Sequence, residues 1–266
     1  MSPALLSDVT REQLSQVRYV LTDVDDTLTW QGKLPAQTLT ALYDLQQAGI
    51  KVIPVTGGCA GWSDMIASAF PVAGVISEGG GVFLEVQGKR INYHFFQSEE
   101  MMRTEQARIL ELVNTHLQKF PELCLARDQN YRLTDVAVDY AQRIVPPALE
   151  QKDALLALLK QQGLNAKASS IHINICADGV DKFAMTHKVL TQHFGLNATD
   201  FPSQVLYVGD APNDESMFAQ FPLSVGVANI AHHLPHMSYQ PAFISQAPGG
   251  LGFAELASLI ISSRTD

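Results

Sequence analysis

Tyr19-Val20-Leu21-Thr22-Asp23-Val24-Asp25-Asp26-Thr27-Leu28 is an apolar run that closes on two carboxylates one residue apart. In a β-strand, residues i and i+2 share a face, so Asp23 and Asp25 point the same way where the apolar run stops. That places them at the carboxyl end of a strand, and in an open α/β sheet ligands bind outside such ends. Two carboxylates held this close repel each other unless a proton or a cation intervenes. A hard divalent cation is the natural partner. Alone, the same residues would also suit an acidic surface loop, so the rest of the chain must decide between the two.

Three later segments supply that context. Ile50-Lys51-Val52-Ile53-Pro54-Val55-Thr56-Gly57-Gly58 is a second apolar strand ending in a hydroxyl and two glycines. Such a turn can present Thr56 and backbone N–H groups to an anion, or Thr56 can simply cap the next helix. Asp178-Gly179-Val180-Asp181-Lys182 brings a lysine into the amphipathic stretch 183–194, in a first turn where the helix dipole disfavours a cation. Val205-Leu206-Tyr207-Val208-Gly209-Asp210-Ala211-Pro212-Asn213-Asp214 is another buried-type strand, closing on Gly-Asp-x-x-Asn-Asp. Acids and an amide gathered after a glycine at a strand end are costly unless they hold a metal and its waters.

In this order, the four segments resemble the haloacid dehalogenase superfamily of phosphohydrolases, over most of the chain. The resemblance implies Asp23 as nucleophile, Asp25 as general acid/base, Thr56, Gly57 and Lys182 as phosphate holders, and Mg2+ as cofactor. The metal would be held by Asp23, the Asp25 carbonyl and Asp210, with Asn213 and Asp214 orienting ligands or metal-bound water. The long insert between the threonine and lysine segments further resembles the Cof-type branch, which includes sucrose-phosphate phosphatase and phosphomannomutase and carries an α/β cap at that point. Many members of that branch follow Thr-Gly with Arg. Here Gly58 stands in its place, so one substrate contact must be missing or come from elsewhere.

Patterning along the chain agrees with a two-part molecule. From Val17 to Ser77 the expected order is strand, helix (35–48), strand, helix (60–70), strand (74–77), an alternation that implies a parallel sheet with right-handed crossovers. Val82–Val86 and Ile91–Phe95 flank Gln87-Gly88-Lys89 and read as a hairpin. A helix over 98–119, strands near 123–127 and 133–140, a helix opened by Pro146-Pro147 and stopped by Gly163, and a strand at 171–176 come next. Two helices on an antiparallel sheet make an open-faced α/β layer. After Asp178 the βα alternation resumes through 205–208, 223–227 and a final helix over 251–261. The expected fold is therefore α/β: a doubly wound, Rossmann-like core (1–82 and 180–266) with an inserted α/β cap (83–179).

Composition bounds the partners. With 266 residues and 46% hydrophobic content, the chain can bury a large core. A formal charge of −9 argues against nucleic acid or acidic membranes. No stretch is long and apolar enough for a membrane span and the N-terminus lacks a signal-peptide layout, so a cytoplasmic monomer or small homo-oligomer is expected. Cys59, Cys124 and Cys176 form no C-x-x-C pair and read as reduced and structural. Residues 83–179 hold 11 basic and 12 acidic side chains against 7 and 15 elsewhere, so the cap can offer cations to a polar substrate. Arg127, Arg132 and His172 are the candidates. His232, His233 and His236 fit no strong zinc spacing, with Pro235 interrupting any helix that would align them. Trp30 either closes over the site or packs a turn.

The favoured reading is a Mg2+-dependent phosphatase acting on a phosphorylated sugar or similar small metabolite through an aspartyl-phosphate. A sugar phosphomutase could use the same site. A phospho-accepting receiver module also clusters Asp, Thr and Lys, but it lacks a cap and the Gly-Asp-x-x-Asn-Asp segment after the lysine.

Overall fold

The structure, a computed structural model, describes residues 3–264. The strands are β1 (Ala4–Leu5), β2 (Tyr19–Thr22), β3 (Lys51–Pro54), β4 (Gly74–Ser77), β5 (Val82–Gln87) and β6 (Arg90–Phe95) in the first part of the chain. They continue as β7 (Cys124–Leu125), β8 (Val136–Asp139), β9 (Asn165–Ala168) and β10 (His172–Cys176), then β11 (Val205–Gly209), β12 (Ser224–Gly226) and β13 (Phe243–Ile244). Six of them form a parallel sheet in the order β1-β13-β12-β11-β2-β3. The chain leaves β2 for β3 on one side and returns to β11 on the other, so the strand order reverses at β2. That crevice is where doubly wound sheets bind ligands.

β2 reads as a continuous apolar run because both of its faces are covered. Val20 joins Leu42, Leu45, Phe253 and Leu256 in the core under helices Ala36–Gln47 and Gly249–Ser262. Tyr19 and Leu21 join Met185, Leu190, Phe218 and Phe221 on the opposite face. Each such side chain, fully buried, contributes roughly 1.5–3 kcal/mol. Gly49, at φ +75°, ends the helix after Ala48 and lets the chain turn into β3.

The inserted unit is a second antiparallel sheet, β7-β8-β10-β9. Helices Glu99–Leu117 and Leu149–Gln161 pack on it through Ile109, Val113, Leu155 and Leu159 against Val136, Val138, Ile173 and Ile175. Alternation then turns Ala137, His172, Asn174 and Cys176 to the uncovered face. That face looks toward the core.

The structure departs from the sequence expectations in several places. The β5–β6 hairpin, expected to open the cap, pairs instead with β4 in a three-stranded sheet, and a parallel bridge between Val55 and Ile76 joins that sheet to β3. Gly74 permits this: a Cβ there would strike the Phe83 ring and the Leu84 carbonyl. The single helix expected over 183–194 is an α-helix only at Lys182–Lys188, continuing as a π-type turn at Val189–His193. Pro146-Pro147 precede the helix Leu149–Gln161 instead of opening it. β9 has no counterpart among the expected strands, because Asn165-Ala-Lys-Ala lacks apolar alternation.

Candidate active site

Register brings the motif ends together. Thr22 lies opposite Val208 on β11 and Pro54 on β3, and the Asp23 N–H donates to the Val208 carbonyl at 2.9 Å. Asp23 and Asp210 therefore leave adjacent strands at the same height. Lys182 enters from the helix below, whose first turn is capped by the Asp181 side chain accepting from the Ala184 N–H. Its Nζ lies 2.6 Å from Asp23 Oδ1 and 2.6 Å from Asp214 Oδ1. The unfavourable position in a first helical turn is thus offset by two buried carboxylates.

The remaining contacts fix the acids. Asp210 accepts from Thr27 Oγ1 at 3.1 Å and from Asn229 Nδ2 at 3.0 Å, and Asn229 also donates to the Asp26 carbonyl at 3.1 Å. Asp214, fully buried, accepts from Lys182, from the Tyr207 hydroxyl at 2.5 Å and from the N–H groups of Asp210 and Ala211. Gly209 is needed for this turn, since a Cβ there would collide with the Asp214 carboxylate. Asp214 therefore serves as the support that holds Lys182 and the Asp210 turn in place.

One ligand atom from each of Asp23, Asp210 and Asp214 fits within a span of 4.8 Å. Burial, then repulsion from Asp214 and Asp25, raises the Asp23 pKa to about 7 despite Lys182. Burial and the neighbouring Asp23 raise Asp210 well above its ordinary value, and burial with Asp26 raises Asp25. Asn213 Oδ1 is buried with no hydrogen-bond partner. Crowded carboxylates and an orphaned amide oxygen form the hard-oxygen donor set that suits a divalent cation such as Mg2+. Among the described residues, His232, His233 and His236 form no metal-competent group. Trp30 packs a turn: it exchanges backbone hydrogen bonds with Lys33 and lies against Gly249.

The turn after β3 is the joint between the two units. Thr56 is buried, its Oγ1 accepting from the Gly58 N–H at 2.9 Å, which leaves the hydroxyl hydrogen free to donate. The Gly57 carbonyl receives Arg132 Nη1 at 3.0 Å and Asn174 Nδ2 at 3.1 Å from the inserted unit. Glu78, at φ +53° just after β4, is fully buried. It accepts from the Ala60 N–H at 2.8 Å on the core side. From the insert it accepts the Leu133 N–H at 2.9 Å and the Thr134 N–H and hydroxyl, each at 2.6 Å. Burial and the nearby Asp135 still push its pKa up to about 7.

Between the units lies a cavity of about 870 Å³ with Asp23, Asp25, Asp210 and Asn213 on its core wall. Arg127, Arg132 and His172 all reach the opposite wall. Arg132 arrives with its guanidinium already engaged, by Asp135 at 2.9 Å, Asp128 at 3.0 Å and the Gly57 carbonyl, so it serves as a latch between the units. His172 is buried beside Gln142, and burial together with Arg132 lowers its pKa to about 4, so the ring is neutral. Sequence reasoning missed Trp62, Tyr131, Arg143 and Asn174, which also line the cavity. Trp62 and Tyr131 are 55% and 65% exposed, unusual for such large rings. Gly61 allows their approach, since a Cβ there would meet Tyr131 at 2.9 Å.

A sequence profile of the sucrose-6F-phosphate phosphohydrolases matches residues 17–247. The chain belongs to this family. It is thus a Cof-type phosphohydrolase of the haloacid dehalogenase superfamily, a hydrolase of phosphoric monoesters. That match spans both strand-end acid motifs and the lysine between them. A phosphoglycolate phosphatase of Methanoculleus marisnigri is 26% identical over 245 residues, covering 90% of this chain and 94% of that protein. Two solved structures share the fold. A HAD/COF-like hydrolase of Plasmodium vivax superposes with TM-score 0.70 at 16% identity, covering 95% of this chain and 99% of its own. The Synechocystis sucrose-phosphatase, solved with sucrose and phosphate, gives 0.65 at 15% identity over 92% of this chain and 98% of its own.

Proposed function

We propose that this chain is a Mg2+-dependent phosphatase that hydrolyses a phosphomonoester of a sugar or comparable small metabolite through an aspartyl-phosphate on Asp23. The observation that carries the reading is the floor of the cavity, where Asp23 is held 2.6 Å from Lys182 and faces a wall of cations and exposed rings. The parallel-sheet core, with the β4-β5-β6 sheet joined to it, supplies the chemistry. The insert, from the helix Glu99–Leu117 to β10, acts as the cap that selects substrate, in a cytoplasmic enzyme.

Asp23, Asp210, Asn213 and the Asp25 carbonyl would hold Mg2+, with Asp214 supporting them. When bound, the ion supplies charge neutralisation and orientation of the phosphoryl oxygens. A carboxylate oxygen of Asp23 forms a bond to phosphorus as the bond to the leaving oxygen breaks. Asp25, whose pKa burial and Asp26 push upward, gives its proton to that oxygen. Water then attacks the aspartyl-phosphate, Asp25 takes its proton, and phosphate leaves as the Asp23 carboxylate is restored. Lys182, Thr56 and the Gly57 turn hold the non-bridging oxygens as charge shifts among them.

The sugar assignment rests on the mouth of the cavity. Trp62 and Tyr131 offer apolar faces to the C–H face of a ring. Arg127 and Arg143, both exposed on the cavity wall, with Gln142, offer donors to hydroxyl groups or a second acidic group. The test is a panel of phosphorylated metabolites assayed for free phosphate with Mg2+ and with chelator. Mg2+-dependent release, strongest on sugar phosphates, is expected. Chelator-insensitive release would remove the metal from the reading, and phosphoryl transfer to a sugar without free phosphate would make the enzyme a mutase.

A further inference from the structure

We propose that Glu85, His94 and His193 form a second metal site, for a borderline divalent cation such as Zn2+, that pins the β5–β6 hairpin to the helical segment carrying Lys182. One ligand atom from each lies within a common span of 4.8 Å, and none of the three lines the catalytic cavity. Glu85 sits on β5 and His94 on β6, where the antiparallel register puts Phe83 opposite His94. His193 ends the π-type turn that continues the helix from Lys182.

The distances suit an ion. His94 Nε2 is 2.9 Å from Glu85 Oε2, and His193 Nδ1 is 3.8 Å from Glu85 Oε1. Ligand atoms around a tetrahedral Zn2+ at ordinary bond lengths stand about 3.3 Å apart, inside the 4.8 Å span that one atom from each residue shares here. A hydrogen bond explains the His94 contact. His193 stands by the second carboxylate oxygen, beyond hydrogen-bond range. The two imidazole rings lie with centroids 4.3 Å apart on an apolar floor made by Phe83, 6.1 Å from His94 and 5.3 Å from His193. Burial, with His94 beside it, lowers the His193 pKa.

The charge surroundings are mixed but compatible. Lys188 is the nearby cation, and its ammonium is held by the Phe95 and Phe96 carbonyls at 3.4 and 3.0 Å. Two imidazoles and one carboxylate, with His94 partly exposed, leave a fourth position open to water. The ligand chemistry separates this site from the catalytic acids, since imidazole favours Zn2+, Ni2+ or Co2+ and an all-oxygen set favours Mg2+.

The test uses metal-stripped, full-length protein with Mg2+ in excess to occupy the catalytic acids. Zinc titrated by calorimetry should bind at one equivalent, and His94→Gln or His193→Gln should weaken it on the order of 10²-fold or more. Co2+ should give the visible bands of a four-coordinate imidazole site in the parent and in Asp210→Asn, and lose them in His94→Gln. Zinc should also raise the melting temperature of the parent but of neither histidine variant, and the three proteins should melt alike without zinc. Failure of the parent to bind zinc, undiminished binding in both histidine variants, or binding lost only in Asp210→Asn would each overturn the proposal.

Discussion

Arg132 donates to the carbonyl oxygen of Gly57 across 3.0 Å, so a cation of the inserted unit holds the turn that follows β3. Its charge is balanced by Asp135 and Asp128 in a buried setting. Removing one member of such a set leaves buried charge unpaired. Arg132→Met is expected to lose roughly 3–5 kcal/mol in urea denaturation, with much of it recovered in Arg132→Met/Asp135→Asn. A loss under about 1 kcal/mol would show that the latch carries little weight.

Asp23 and Lys182 should separate by their kinetics and stability. Asp23→Asn keeps the shape of the side chain and should retain the fold while losing roughly 10⁴-fold or more in turnover. Lys182→Ala should slow every substrate by a similar factor, on the order of 10²-fold or more. It also strips Asp23 and Asp214 of their counter-charge, so its melting temperature should fall at pH 8 and recover in part toward pH 5 as Asp23, with its pKa already raised to about 7, takes up a proton. Near-normal turnover in Asp23→Asn would end the covalent mechanism.

His172 should leave a signature in acid. Its folded pKa is lowered to about 4 from the ordinary 6.5, so the folded state binds fewer protons than the unfolded state between those values. Stability from this group is therefore present above pH 6.5 and is lost as pH falls toward 4, about 2 kcal/mol of it between pH 7 and pH 5. Urea titrations of His172→Gln across that range should show a correspondingly shallower decline than the parent. Parallel slopes would contradict the assignment.

Trp62 and Tyr131 are expected to govern recognition and to leave the chemistry alone. Trp62→Ala or Tyr131→Ala should raise KM for ring-bearing substrates about 10-fold, the scale of one lost apolar contact, with kcat little changed. A small generic phosphate ester should be hydrolysed about as well as by the parent. Equal losses on both kinds of substrate would place recognition elsewhere.

The strand-end positions of Asp23 and Asp210 were legible in the sequence because each closes an apolar run with an abrupt polar end, whereas Lys182, in an unfavourable first helical turn, was pointed to only by the family resemblance. The parallel core and the open-faced insert came from the same periodicities. Glu78 was not legible, since its partners lie at Ala60, Leu133 and Thr134, and nothing in its neighbourhood announces a carboxylate buried between two units. Arg132 is visible in the sequence as a cation but not as a latch, because its acids become partners only when the chain folds. Trp62 and Tyr131 look like ordinary helix and loop aromatics until their exposure is seen. The hairpin belongs to a different sheet from the one its sequence suggests, because antiparallel pairing has no local marker for the strand that receives it.

The carboxylate of Glu78 also bears on how the inserted unit can be exchanged. A chimera joined only at the two chain crossings would carry a foreign cap to a core that still presents this acid, without the Leu133 and Thr134 donors that now satisfy it. An acid buried without its donors costs several kcal/mol, enough to consume much of a domain's net stability. Transplanting substrate preference from a relative therefore requires moving Glu78 and the Gly57 turn along with the cap, or replacing that acid by a residue the new cap can accommodate. Cap and core of this protein are matched parts, and a whole insert cannot be exchanged without adapting the core surface that receives it.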